Sequence, residues 1–276
     1  MLALDLSHLT AQGGVANCIP LVTHVMRRLN ELGWDPALDV RGGLCEGSAV
    51  AIVGARAAST RGMERAHALA KHLASAGVHV VSGGALGIDG AAHRGSLAGG
   101  GTTTVVLGSG IDVVYPTRHA PLFDQIVAAG GALVSMFPAG MQPRAGTFLQ
   151  RNPLISALAD AVIVVEADVR SGSLSTAAAA RKQGRLVGAW PGSRGCDRLL
   201  ATGAALVESG EDALALLAKT PRYPTPPTLD DVALAVRDAI VAGARGIDAI
   251  VHATGLPVRS VLRALPQLES CPTRMQ

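Results

Sequence analysis

From Ala49 onward, short apolar runs alternate with longer segments whose apolar residues recur at helical spacing. Val50-Ala51-Ile52-Val53-Gly54, Val78 to Ser82, Thr103 to Leu107, Ala132 to Ser135, Ala161 to Glu166, Leu186 to Trp190 and Ala204 to Val207 read as buried strands, several rich in β-branched residues. Between them the pattern predicts a helix opening near Ser59-Thr60 and ending at Ala76-Gly77, an Ala-rich helix after Gly87, and helices over 120–129, 152–158, 173–183 and 211–218. Strands separated by helices of ten to fifteen residues imply right-handed crossovers and a Rossmann-like, doubly wound parallel sheet of the α/β class. In such sheets ligands bind beyond the carboxyl ends of the strands. The loops after Gly54, Ser82, Gly108, Ser135 and Glu166 are therefore expected to share one rim.

The flanks read differently. Residues 1–47 hold one amphipathic helix, 19–32, stopping at Gly33 and followed by linker around Asp35-Pro36 and Arg41-Gly42-Gly43. This segment is expected to be a helical remnant or linker before an α/β domain at 48–218. Residues 219–229 carry four prolines and form an extended linker. Beyond it, 230–276 predicts three helices, 230–242, 246–253 and a third ending near Leu265, with a Thr254-Gly255 turn between the last two. That is the arrangement of a small helix-turn-helix or winged-helix-like domain. Five arginines (Arg237, Arg245, Arg259, Arg263, Arg274) against Asp230, Asp231, Asp238, Asp248 and Glu269 leave it neutral, which favours a protein-contact or structural role over reading DNA.

Composition narrows the classes. Aromatics make up 3% of 276 residues, so Ala, Val, Leu and Gly must supply the packing. Four scattered cysteines, Cys18, Cys45, Cys196 and Cys271, form no CxxC and suit free thiols in a reducing cytosol; no metal or cofactor is expected. No apolar run is long enough to cross a membrane and no signal peptide is visible, so a cytoplasmic protein is expected. The net charge of +3 permits a nucleic-acid partner without requiring one.

The densest chemistry lies at Ser82-Gly83-Gly84-Ala85-Leu86-Gly87-Ile88-Asp89. Glycines at a strand-to-helix turn admit a phosphate to the backbone amides and the helix dipole, or serve tight packing alone. Ser82, Gly83, Gly84 and Gly87 are the expected cradle, and Gly108-Ser109-Gly110 repeats it on the next strand. Asp89 falls in the first helical turn, and His93, four residues on, is placed to hydrogen-bond it. Arg56 follows a strand end directly, where a guanidinium can grip phosphate. Arg118, Arg144 and Arg151 on later loops would extend a positive track, with Tyr115 and Phe148 as stacking surfaces, Asn152 reading a base edge or bracing its loop, and Ser171-Gly172-Ser173 with Thr176 opening another helix toward phosphate. HExxH, GxSxG and the P-loop are absent, so no enzyme is expected. Glu166 is the one carboxylate suited to a glycosidic hydrolysis. A nucleotide-binding protein, acting as a nucleoside-monophosphate phosphoribohydrolase or a nucleotide sensor, is the alternative reading.

The turn Ser82 to Arg94 closely resembles the DNA-processing protein A (DprA, or Smf) family, as do, in the family's order, Val53-Gly54-Ala55-Arg56, Val106 to Pro116, Phe148-Leu149-Gln150-Arg151-Asn152, Val165-Glu166-Ala167 with Ser171 to Ala177, Gln183-Gly184-Arg185 and Pro191-Gly192. The resemblance covers residues 48–217. It implies an extended Rossmann-like domain that binds single-stranded DNA, protects it, dimerises, and helps load a RecA-type recombinase in natural transformation, often with a winged-helix-like C-terminal domain. Two positions depart from the family's pattern: Leu86 and Pro153 stand where basic residues are usual.

Overall fold

The computed structural model describes residues 28–33, 37–44, 47–223 and 230–269, which divide into two compact units, the first holding a sheet and the second the last three helices. Most of the sequence prediction at 19–32 lies outside the described residues, and only 28–31 are seen as helix. There Arg28 is buried and donates to both carboxylate oxygens of Asp160, at 3.1 and 2.7 Å, and to the Gly47 carbonyl at 2.7 Å.

In the first unit the elements run β1 (Asp39–Gly42), β2 (Ala49–Val53), α1 (Thr60–Ser75), β3 (His79–Ser82), α2 (Ile88–Ala98), β4 (Thr103–Val106), α3 (Ala120–Ala128) and β5 (Ala132–Ser135). They continue with α4 (Ala145–Ala157), β6 (Ala161–Val164), α5 (Ser173–Lys182), β7 (Leu186–Ala189), α6 (Arg194–Ala201), β8 (Ala205–Leu206) and α7 (Gly210–Leu217). The eight strands lie in the order β1-β5-β4-β3-β2-β6-β7-β8. Every pairing is parallel except β1 on β5, where Asp39 faces Ser135. Strand order reverses between β2 and β6, so the crevice at their carboxyl ends is the place where this topology admits a ligand.

The period-2 pattern explains how the sheet is covered. In β2, Ala49, Ala51 and Val53 join the core containing Leu154, Ile155 and Ala177 of α4 and α5, while Val50 and Ile52 join that of Leu69, Leu73 and Ile88 from α1 and α2. Both faces of each central strand are buried, hence the near-continuous apolar runs.

Three expectations need correction. Residues 39–42 form an edge strand rather than linker: Asp39 and Arg41 leave no apolar run to read, as edge strands commonly do. The helix read as 152–158 begins at Ala145. Its first two turns expose Gly146, Leu149 and Gln150, and Pro153, which reads as a helix opener, sits in its middle. Helix α6, short and charged at Arg194, Asp197 and Arg198, was missed altogether.

The second unit packs α8 (Asp231–Val241), α9 (Ile247–Thr254) and α10 (Val258–Glu269) around Val236, Ile250, Val261 and Ala264. Asp230 caps α8 by accepting the Ala233 amide at 2.7 Å, and Gly255 ends α9 with φ +69°. Helix α10 runs through Pro266 instead of stopping near Leu265. Among the described residues no helix is long and apolar enough to cross a membrane.

Candidate functional site

A cavity of about 550 Å³ opens at the β2–β6 crevice. Val53, Gly54 and Arg56 reach it from the end of β2, and Phe148, Leu149, Arg151, Asn152 and Ile155 from α4, with Arg144 at that helix's cap. Ser171, Gly172, Ser173 and Thr176 enter from the start of α5, Tyr115 and Pro143 from loops, and Ala85 and Asp89 from the glycine-rich turn. Helix α4 can deliver so much because its start is anchored. The Thr147 hydroxyl accepts the Arg144 amide at 3.0 Å and donates to the Gly108 carbonyl at 2.6 Å.

Arg151 is the buried centre of the floor. Its Nη1 donates to the carbonyls of Gly83, at 2.8 Å, and of Val106, so one fork ties together the ends of β3 and β4. Its Nε donates to Asn152 Oδ1 at 3.3 Å. Burial lowers its pKa to about 10, opposed by the charge of Asp89, and it stays cationic at neutral pH. Asp89 is buried too. Burial pushes its carboxyl above the usual range, against the attraction of Arg151 and the Ala85 amide, which donates to it at 3.3 Å. Between the two groups lies Gly83: a Cβ there would sit 2.6 Å from Arg151 Nη2 and 2.7 Å from Asp89 Oδ2.

These contacts redraw the glycine-rich turn. The carboxylate of Asp89 takes the Ala85 amide, the Ile88 amide donates to the Ala55 carbonyl, and Ser82 Oγ donates to the Ile52 carbonyl at 2.6 Å. Gly87, at φ +77°, lies so close to the Ala55 carbonyl that a Cβ would come within 2.3 Å of it. The turn is occupied by the protein's own groups, and Ser82, Gly84 and Gly87 do not line the cavity. Nor do Gly108, Ser109 and Gly110: the Phe148 ring packs on Gly108, and Ser109 Oγ donates to the Val113 carbonyl at 2.7 Å. Arg118 is exposed on a single 3₁₀ turn, Thr117–His119, also outside the lining. The expected Asp89–His93 hydrogen bond is absent. His93 turns instead to β4, its Nδ1 2.8 Å from Thr103 Oγ1, because the buried threonine supplies a partner where Asp89 is already engaged.

At the mouth, the exposed Arg56 guanidinium lies 4.4 Å from the Phe148 ring centroid, and Tyr115 packs on the same ring at 5.6 Å and 41°. Asn152 is a brace: its Nδ2 donates to the Gly172 carbonyl at 3.1 Å and to Ser175 Oγ at 2.7 Å, fixing the start of α5. There Ser171 and Ser173 hydroxyls meet at 2.7 Å. Thr176, only 1% exposed, lines the cavity. Sequence reasoning missed Leu149, Pro143 and Ile155, which carry no polar signal and read as core.

Glu166 lies beside the end of β2, its carbonyl accepting the Ala55 amide at 2.7 Å, but outside the cavity lining. It accepts the Ser59 amide at 2.9 Å and the Ser59 hydroxyl at 2.5 Å, bracing the residue that caps α1. The carboxylate that the hydrolase alternative requires is thus engaged in structure and does not line the cavity. Glu166→Ala is expected to lower stability by about 1 kcal/mol, the usual scale of a disturbed cap, measured as a shift in the urea midpoint.

The sequence profile of the DNA recombination-mediator protein A family matches residues 36–218, and that of the DprA winged helix domain matches 220–269. A Mycobacterium tuberculosis protein described as putative DNA processing protein DprA is 43% identical over 236 residues, covering 80% of this chain and 60% of the relative. The chain spans 60–63% of the length of the Mycobacterium tuberculosis and Escherichia coli relatives it matches. Among solved structures, DNA processing protein A from Streptococcus pneumoniae aligns with TM-score 0.63 and 40% identity over 68% of this chain and 69% of that one. That from Helicobacter pylori, whose structure is described as giving insight into its unique single-stranded DNA binding mode, aligns with TM-score 0.64 and 31% identity over 71% and 94%.

Proposed function

Because the chain belongs to the DNA recombination-mediator protein A family, we propose that it binds single-stranded DNA at the β2–β6 cavity. In this reading it protects incoming strands in the cytoplasm and, as a homodimer, hands them to a RecA-type recombinase. It does so as a binding protein and not as a catalyst. The observation that carries the proposal is the convergence of Arg56, Arg144 and Arg151 on one cavity that also presents Phe148 and Tyr115. Guanidinium groups beside aromatic faces suit a strand whose phosphates and bases are both accessible. The hydroxyls of Ser171, Ser173 and Thr176 add donors for phosphate oxygens, while Arg151, held by two carbonyls, keeps the floor positive. Support also comes from the single-strand binding mode described for the Helicobacter pylori relative.

The test is a titration of a fluorescent oligodeoxythymidylate at several salt concentrations. Binding should weaken with salt along a straight log–log line. Arg56→Ala should weaken binding about tenfold and flatten that slope by about 0.7, the increment for one lost phosphate contact on a single strand. Salt-independent binding, or an Arg56→Ala variant that binds like the parent, would count against the assignment.

A further inference from the structure

A cavity of about 550 Å³ has the size of a small-molecule pocket and holds only a short piece of a strand, so the rest must leave across the rim. On its β6–β7 side that rim consists of two loops. Residues 167–172 lead from the end of β6 to Ser171 and Gly172 of the cavity, and residues 190–195 lead from the end of β7 into α6. The loops are stitched together: the Ala167 amide donates to Ser193 Oγ at 3.1 Å, and the Gly195 amide donates to the Ala167 carbonyl at 2.8 Å. A Cβ on Gly195 would come within 2.7 Å of that carbonyl, so the close approach depends on glycine. Arg170, beside Ser171, and Arg194, which opens α6, are both exposed on this joined surface. Trp190, one residue past β7, has the Arg65 guanidinium of α1 over its ring at 5.1 Å, which repeats the Arg56–Phe148 pair two strands further along the sheet. The acids of this rim are engaged by the backbone. Asp168 Oδ1 accepts the Val169 amide at 2.7 Å, Asp197 Oδ1 the Gly192 amide at 2.8 Å, and Glu166 the Ser59 amide. Arg65, Arg170, Arg194 and Trp190 all lie outside the cavity lining.

Resting on the assignment above, we propose that this rim is an exit track, a second binding segment outside the cavity for the part of an unpaired strand that overflows it. Arg170 and Arg194 take backbone phosphates as the strand leaves Ser171. The Arg65–Trp190 pair is the far station, a guanidinium plane backed by an indole, on which a base can stack. Neighbouring strand ends lie about 5 Å apart, so a route over β6 and β7 is within reach of a few nucleotides. The track makes the length of the strand, and not only its grip in the cavity, a determinant of affinity.

The experiment compares, for the full chain at low salt, oligodeoxythymidylates of about 6 and about 16 nucleotides, within the span of single-strand site sizes. The parent should bind the longer strand at least tenfold more tightly. Arg170→Ala combined with Arg194→Ala, both changes on exposed side chains, should flatten the salt slope of the longer strand by about 1.4, two phosphate contacts at about 0.7 each, and leave the shorter strand unaffected. Arg65→Ala should weaken the longer strand alone by about fivefold, the low end of what one stacked base supplies. A direct readout comes from Trp34→Phe, which leaves Trp190 as the only indole: the longer strand should quench its emission and the shorter one should not. Equal weakening of both lengths, an unchanged slope on the longer strand, or a Trp190 emission blind to it overturns the exit track and leaves binding in the cavity in place. Absence of binding at either length overturns the functional assignment itself and the track with it.

Discussion

Replacing Arg151 with alanine is expected to destabilise the first unit by about 3–5 kcal/mol, the range seen when one partner of a buried charged network is removed. Three consequences add. The carbonyls of Gly83 and Val106, at the ends of β3 and β4, lose their shared donor inside the protein. Asp89 loses the cation that opposes its burial and is driven further toward the neutral acid. A void opens where the guanidinium had stacked over Gly83. For a unit of this size the thermal midpoint should fall by roughly 10 °C. Arg151→Lys keeps the charge but loses the planar fork that bridges two strands, and should fall between alanine and the parent. Because Asp89 shares the network, Asp89→Asn combined with Arg151→Ala should cost less than the sum of the single changes. An Arg151→Ala protein within 1 kcal/mol of the parent in urea unfolding would show that the network is not structural. This is also why Arg56, exposed and bound only to an aromatic face, is the better residue for testing DNA affinity.

The difference between these two arginines bears on what a sequence can disclose. Arg56 reads as a strand-end residue and Arg151 as one on a later loop of a positive track, and both reach the cavity, Arg151 from within α4. Yet Arg56 is a free guanidinium at the rim, and Arg151 is a tie between strands. What separates them is Gly83, whose missing Cβ admits a buried fork, and that is visible only once β3, β4 and α4 are assembled. The sheet itself was legible because parallel strands covered on both faces must be continuously apolar. The edge strand at 39–42 was not, since an edge carries its pairing in the backbone and its side chains answer to solvent. The glycine-rich turn was legible as a turn, but its occupant was not. Nothing in Ser-Gly-Gly-Ala-Leu-Gly-Ile-Asp says whether the Ala85 amide awaits a phosphate or the carboxylate four residues further on. Leu86 and Leu149 show the converse, since by composition they belong inside and only the fold places them in solvent.

The same buried architecture predicts a steep loss of stability in acid. His79, on β3, lies between Thr102 Oγ1 at 3.0 Å and Thr104 Oγ1 at 2.8 Å, and burial, reinforced by the charge of Arg28, lowers its pKa to about 4. For His93, burial, reinforced by His119, His79, Arg94 and Arg151, lowers it to about 3, and its Nε2 has no partner to share a proton with. Both rings are therefore neutral in the folded chain well below the 6.5 at which they titrate when unfolded. As pH falls through 6.5 the unfolded chain takes up protons that the folded one refuses, so stability drops with pH. Each histidine contributes about 1.4 kcal/mol per pH unit, down to about pH 4 for His79 and pH 3 for His93. From pH 6.5 to 5 the two together remove about 3 kcal/mol, since the slope is only half developed at 6.5 itself. Asp89 acts in the opposite sense: its raised pKa means that the folded state accepts a proton first, and its burial is relieved as pH falls. Urea unfolding at half-unit steps between pH 7 and 4.5 reads the net slope, and His93→Gln or His79→Gln isolates each ring by reducing the acid slope by about 1.4 kcal/mol per unit, whatever it does to stability at pH 7. If the slopes of both variants matched the parent's, the loss in acid would have to arise from groups other than these histidines.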